Sequence, residues 1–229
     1  MKKLFKNWSI LELLLLILSP IVVILMAIIF KSDILTTITS IVGIMCALCL
    51  AKGLVIGQVL GILIVVLYSI VSFKNAYYGE MIIYLFIMLP MYVWGIFEWL
   101  KHKSKETESV EVNSIKLKEW IIVGFCSVVV FIVFYFILKT LNTSQLFVST
   151  LSVIDNIFAV YLLARRSKYG FVSYIVNDLL LMILWGVPVF AGNLLLLPMF
   201  FNPVVNFIND TYGVINWTKI QKAQKANKE

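Results

Sequence analysis

The apolar runs of this sequence are unbroken and about twenty residues long, the length an α-helix needs to cross the hydrocarbon core of a bilayer. They lie at Leu11–Phe30, Thr37–Ala51, Leu54–Phe73, Met81–Leu100, Trp120–Leu138, Thr143–Ala164, Phe171–Phe190 and Leu194–Trp217. A transmembrane barrel would alternate apolar and polar residues over stretches about half as long. The expected fold is an all-α membrane protein of about eight transmembrane helices. Composition agrees: 62% of residues are hydrophobic and 14% charged, with a mean hydropathy of +0.99, whereas soluble domains sit near half and a quarter. The first run is too long for a secretory leader and lacks a small-x-small cleavage site, so it reads as a retained helix, bent near Pro20.

A net charge of +7 does not point to nucleic acid, since no basic stripe interleaved with aromatics occurs in a soluble segment. Membrane topology explains it. With the N-terminus in the cytoplasm, the inside segments collect Lys2, Lys3, Lys6, Lys52, Lys101, Lys103, Lys105, Lys116, Lys118, Arg165, Arg166, Lys168, Lys219, Lys222, Lys225 and Lys228. Only Lys31, Lys74 and Lys139 fall outside. An odd number of spans would destroy this asymmetry, so both termini are expected in the cytoplasm, with the chain a multi-pass protein of the cell membrane. The hydrophilic stretch Lys101–Glu119 reads as a solvated connector.

The sequence also repeats itself. Gly95-x3-Trp99-x-Lys101 returns as Gly213-x3-Trp217-x-Lys219, and Leu50-Ala51-Lys52 followed by Gly57 returns as Leu163-Ala164-Arg165 followed by Gly170. Each matched block holds three helices, with one helix between the blocks, so both enter the membrane from the same side. The expected architecture is one extra N-terminal helix plus a 3+1+3 arrangement of two parallel repeats. Its parts are the extra helix at 1–36, the first repeat at 37–100, a linker and linker helix at 101–142, the second repeat at 143–219, and a basic tail at 220–229. Both terminal tryptophans read as interfacial anchors.

No Walker loop, Ser/His/Asp set or metal cluster is present, so no enzyme, cofactor or metal site is expected. Cys46-x-x-Cys49 has redox spacing but, like Cys126, sits in an apolar run, where cysteine behaves as a small buried hydrophobe. His102, the single histidine, stands among lysines at a helix end. Polar groups inside spans usually line a cavity. Tyr174, Asp178 and Trp185 share one helical face, with Phe171 ahead of them. Asn202, Asn206, Asn209, Gly213 and Asn216 form a stripe in the last run, with Tyr212 beside it. The first block offers Gln58, Tyr68, Glu80, Tyr84, Tyr92 and Trp94. Aromatic walls, amides and a carboxylate suit a flat, polar, cationic small molecule. The candidate ligand contacts are Phe171, Tyr174, Asp178, Trp185, Asn209 and Tyr212, with Glu80 and Tyr84 opposite. Glu80 reads equally as a helix cap, and the asparagines as hydrogen-bonding links between helices.

Tyr78-Gly79-Glu80, Leu89-Pro90-Met91, Gly95-x3-Trp99-x-Lys101-His102 and Asn209-x2-Tyr212-Gly213-Val214-Ile215-Asn216-Trp217 together resemble the PnuC family of nicotinamide riboside transporters, over roughly Ser40 to Lys219. The resemblance implies a fold related to the SWEET transporters and alternating-access facilitated diffusion of a nucleoside-like vitamin, made one-way by phosphorylation inside the cell. It also implies a homotrimer in the lipid bilayer. The family's seventh-helix pattern, Gln-Trp-x-x-Trp-x3-Asn/Asp, reads here as Gly170, Phe171, Tyr174 and Asp178, and Tyr84 and Tyr92 stand where asparagine is common. Two other readings stay open: a transporter of this type for a deoxynucleoside or thiamine, and a structural membrane protein that transports nothing.

Overall fold

The computed structural model describes residues 8–31, 33–74, 81, 83–104, 109–143, 145–192 and 197–226. Among them the chain forms eight helices: α1 (Ile10–Phe30), α2 (Ile34–Ala51), α3 (Ile56–Lys74), α4 (a π-helical turn, Tyr84–Met88, continuing as Leu89–Lys101), α5 (Leu117–Thr140), α6 (Leu146–Ala164), α7 (Tyr169–Phe190) and α8 (Leu197–Ala226). Five of them, α1, α2, α5, α6 and α7, are long and apolar enough to cross a membrane. Helix α3 is apolar over the shorter stretch Ile56–Val71, α4 is divided by its π turn, and α8 mixes asparagines and a lysine-bearing end into its apolar residues.

Local sequence explains the helix ends. Ser9 and Glu12 close a reciprocal capping box on α1. Asp33 accepts from the Thr36 amide at 2.9 Å and starts α2 three residues earlier than hydropathy suggests. In α4, Pro90 has no N–H to offer the Phe86 carbonyl; just before it the amide of Leu89 reaches back to the Tyr84 carbonyl, which opens a π turn.

Six helices pack in a closed ring, α2–α3–α4–α6–α7–α8 and back to α2. Helix α1 lies outside the ring against α2 and α8, and α5 lies outside against α6. The turns after α2 and α6 have the same hydrogen bonds. Gly53 N donates to Leu50 O at 2.8 Å, and Arg166 N to Leu163 O at 2.8 Å. Leu54 N reaches Cys49 O at 3.0 Å, and Ser167 N reaches Leu162 O at 2.9 Å. Both turns need a left-handed residue: Gly53 at φ 72° and Arg166 at φ 59°. Glycine takes that conformation freely, while Arg166 is strapped there by Glu98 at 3.1 Å and the Glu111 carbonyl at 3.0 Å.

Three expectations change. Trp99 and Trp217 are fully buried, with ring centroids 5.5 Å apart, and are not interfacial anchors. Each indole N–H bonds a carbonyl on another helix, a use for a donor that an exposed ring would lack. Cys126 is exposed on α5, unlike buried Cys46, because α5 lies outside the ring and packs mainly against α6. The described part of the connector is not free in solvent. Val110 is buried and its amide bonds Gly53 O at 2.9 Å, while the Asn113 amide bonds Arg166 O at 2.8 Å, so one short segment ties both turns together.

A polar cluster fixes α1 to the ring. Glu12, buried within the fold, pairs with Lys52 at 2.7 Å and accepts from the Tyr212 hydroxyl, and Lys52 lies over the Trp8 ring at 4.6 Å. Arg165 forks onto Glu119 at 2.7 and 3.0 Å, tying the end of α6 to α5.

Candidate functional site

The ring encloses a cavity of about 210 Å³. Its aromatic wall comes from three helices: Tyr68 on α3, Tyr84 and Tyr92 on α4, and Phe171 and Tyr174 on α7. Tyr68 and Tyr84 lie with ring centroids 4.7 Å apart. The π turn places Tyr84 on this wall, since it adds a residue to the helical turn ahead of Pro90 and shifts the register of what precedes it. Tyr92 fits because Gly61 faces it; a Cβ on Gly61 would stand 2.2 Å from the tyrosine ring. Its hydroxyl meets that of Tyr174 at 3.4 Å, joining α4 to α7 across the cavity.

The polar wall comes from Asn156 on α6, Asn177 and Asp178 on α7, and Asn202, Asn206 and Asp210 on α8. Asn177 is oriented by Ser152, whose hydroxyl donates to its Oδ1 at 2.7 Å. Behind it, Ser173 donates to Asp155 at 2.6 Å. Asp178 and Asp210 both line the polar wall, and Asn209 donates to Asp210 Oδ1 at 3.4 Å. Asp178 Oδ2 and Asn209 Oδ1 are buried with no partner, and an orphaned buried acceptor is costly unless something comes to bond it. Chemically, the cavity offers ring faces on one side and acceptors with amide donors on the other. That set can hold a flat polar molecule and has no nucleophile–base pair among its lining residues. A smaller crevice of about 60 Å³ between α1, α2 and α8 is lined mostly by apolar groups.

Four of the sequence candidates, Tyr84, Phe171, Tyr174 and Asp178, line this cavity. Asn209 lies behind it as a support for Asp210. Trp185 does not line it, because eleven positions at about 1.5 Å each carry it well past Tyr174 even on the same face. Tyr212 points to Glu12 on α1 instead. Glu80 lies outside the described residues. Sequence reading missed Asp210, although the signal was there: Asn202, Asn206 and Asp210 follow one another at helical i+4 spacing. It also passed over Asn156 and Asp155, which the hydropathy of α6 masks.

The family described as nicotinamide mononucleotide transporter matches residues 33–219. A nicotinamide riboside transporter PnuC of Neisseria mucosa is 30% identical over 82% of this chain and 73% of its own. The PnuC of Haemophilus influenzae is 26% identical over 82% of this chain and 80% of its own. The crystal structure of the vitamin B3 transporter PnuC superposes with a TM-score of 0.81 at 28% identity, covering 97% of this chain and 96% of that one. The chain belongs to the nicotinamide mononucleotide transporter family, the PnuC transporters, and is therefore a multi-pass membrane transporter and not an enzyme.

Proposed function

We propose that this protein carries nicotinamide riboside across the cell membrane by facilitated diffusion, supplying the precursor of a nicotinamide cofactor. The observation that carries the reading is the cavity, where Tyr84, Phe171 and Tyr174 offer ring faces beside Asp178, in a chain whose relatives are named as transporters of this riboside. A pyridinium ring suits such walls by stacking and cation–π attraction, and its ribose hydroxyls suit the amides of Asn177, Asn202 and Asn206.

The mechanism we infer is alternating access between two parallel three-helix repeats, α2–α4 and α6–α8, with α5 as linker helix and α1 as the extra helix. Support comes from the matched turns after α2 and α6 and from the ring, in which α4 meets α6 and α8 meets α2. Both termini belong on the cytoplasmic side in this reading. Its support is the lysine and arginine distribution, together with the hydrogen bonds that gather the α2–α3 turn, the α6–α7 turn, the linker and the end of α8 at one face. The functional unit is a homotrimer by family resemblance, with the apolar surface of α5 free to meet lipid or a neighbouring copy.

A second reading, transport of another cationic ring-bearing vitamin such as thiamine, is favoured by one observation. Phe171 and Tyr174 replace the family's two tryptophans while the acid at Asp178 stays. Proteoliposome uptake tests both. Labelled nicotinamide riboside should enter saturably, down its gradient and without an imposed ion gradient, and thymidine should not. Preferential entry of thiamine would move the assignment to the second reading, and failure of all three would overturn transport of this class.

A further inference from the structure

Gln58, in the first turn of α3, is 1% exposed, and both its amide nitrogen and its amide oxygen are buried with no hydrogen-bond partner. Among the described residues it is the one side chain with two such atoms. An amide left like this is costly, because it has given up its bonds to water and received none in return. Two packing contacts fix its level. One turn along α3, a Cβ on Gly61 would stand 2.2 Å from the ring of Tyr92, which lines the cavity. At Gln58 itself, a Cβ on Gly95 would stand 2.5 Å from Oε1. Tyr92, Gly95 and Trp99 follow one another along α4, so Gln58 sits between the cavity wall and the buried Trp99–Trp217 pair.

The second block holds Phe171 at the same level. Leu50-Ala51-Lys52 and Gly57 match Leu163-Ala164-Arg165 and Gly170, which makes Gln58 and Phe171 counterparts in the repeat. Both stand in the first turn of their helix, and each fills the space over the glycine of a Gly-x3-Trp motif: a Cβ on Gly213 would stand 2.6 Å from the Phe171 ring. Phe171 lines the cavity and meets Trp217 edge-on at 5.3 Å. Helices α3 and α7 lie on opposite sides of the six-helix ring. The layer between the cavity and the matched turns thus holds an aromatic ring on one side and an unsatisfied amide on the other.

We propose that Gln58 is a transit station for the ligand: its amide takes the ribose diol as the ligand leaves the cavity toward the matched turns. The side chain offers a donor and an acceptor side by side, and a vicinal diol answers both, one hydroxyl accepting from Nε2 and the other donating to Oε1. A group bonded only in passage lowers the barrier without tightening the resting complex. The orphaned amide is the resting state of such a residue. The proposal rests on the riboside-transport reading and deepens it: it adds a residue outside the cavity and names the part of the ligand that this residue recognises.

The test replaces the amide with an unbranched apolar chain of similar size, Gln58→Met. It measures thermal unfolding of the purified protein and proteoliposome uptake of nicotinamide riboside and of its 2′-deoxy analogue, which lacks the diol. The thermal midpoint should rise by about 2–4 °C, since an unpaired amide is removed. For the riboside the maximal rate should fall about tenfold while KM stays within about twofold. For the deoxy analogue both constants should stay within about twofold of wild type. A lowered midpoint overturns the proposal, because the amide then has partners in the resting protein. Uptake of the riboside at the wild-type rate overturns it as well. So does an equal loss for both sugars, which would mark Gln58 as helix packing and not a contact of the diol. Wild type that takes up neither ligand overturns the transport reading together with this one.

Discussion

The indole N–H of Trp99 donates to the backbone carbonyl of Leu163 at 2.8 Å, and the indole of Trp217 does the same to Leu50 at 3.1 Å. Each tryptophan stands near the end of the last apolar run of one matched block and bonds the end of the first helix of the other. Trp99→Phe and Trp217→Phe each remove one buried hydrogen bond and part of a ring. Both acceptor carbonyls keep a turn amide, from Arg166 and Gly53, so neither is orphaned. The expected cost is about 1–2 kcal/mol for each variant, read as similar drops in thermal midpoint in detergent. An unchanged midpoint in either one would break the equivalence of the two contacts.

The glycines of the matched turns make a second prediction. A Cβ on Gly57 would stand 2.7 Å from the amide nitrogen of Leu50, and one on Gly170 would stand 2.9 Å from that of Leu163. Backbone cannot rotate away, so Gly57→Ala and Gly170→Ala should each destabilise by about 1–3 kcal/mol. Gly43→Ala meets only the flexible end of Ile64 at 3.5 Å, and Gly124→Ala meets nothing. Those two should hold or slightly raise the midpoint, because alanine is the better helix former. Equal behaviour of all four in thermal unfolding would refute the packing argument.

Much of this was legible in the sequence because the bilayer allows few solutions: twenty apolar residues make a helix, and Gly-x3-Trp marks the end of the apolar run. Tyr84, Phe171, Tyr174 and Asp178 could be picked out because polar and aromatic groups are conspicuous in apolar runs. What stayed hidden depends on depth and partner. Trp185 shares a face with Tyr174 but not a level along the axis. Tyr212 belongs to the cluster that holds α1, and no local pattern announces a bond between positions two hundred residues apart. The linker looked solvated because it is polar, yet it uses backbone amides, which composition does not report, to bind Gly53 and Arg166.

Glu12 and Lys52 form a buried pair, with side chains 3% and 12% exposed. Removing one partner strands the other, so Glu12→Gln and Lys52→Met should each destabilise by about 3 kcal/mol or more. The double variant Glu12→Gln/Lys52→Met should recover part of that loss, giving a coupling energy of about 1–3 kcal/mol in a double-mutant cycle. Additive losses would mean that the Glu12–Lys52 pair does not help hold α1 to the ring.

Tyr84 and Trp185 separate the cavity from the rest of the polar and aromatic groups in the membrane. Tyr84 lines the cavity and packs on Tyr68 at 4.7 Å. Trp185, on the same helix as Asp178, lies outside it. Stacking of a heteroaromatic ring on an aromatic side chain contributes about 1–3 kcal/mol by alanine substitution. Tyr84→Ala should therefore raise the KM for uptake of nicotinamide riboside about tenfold or more, with the maximal rate less affected. Tyr84→Phe keeps the ring face and should recover most of the affinity, which distinguishes stacking from a hydroxyl contact. Trp185→Phe should leave KM unchanged. A KM raised by Trp185→Phe and spared by Tyr84→Ala would place the ligand nearer the other end of α7, and the cavity described here would not be the transport site.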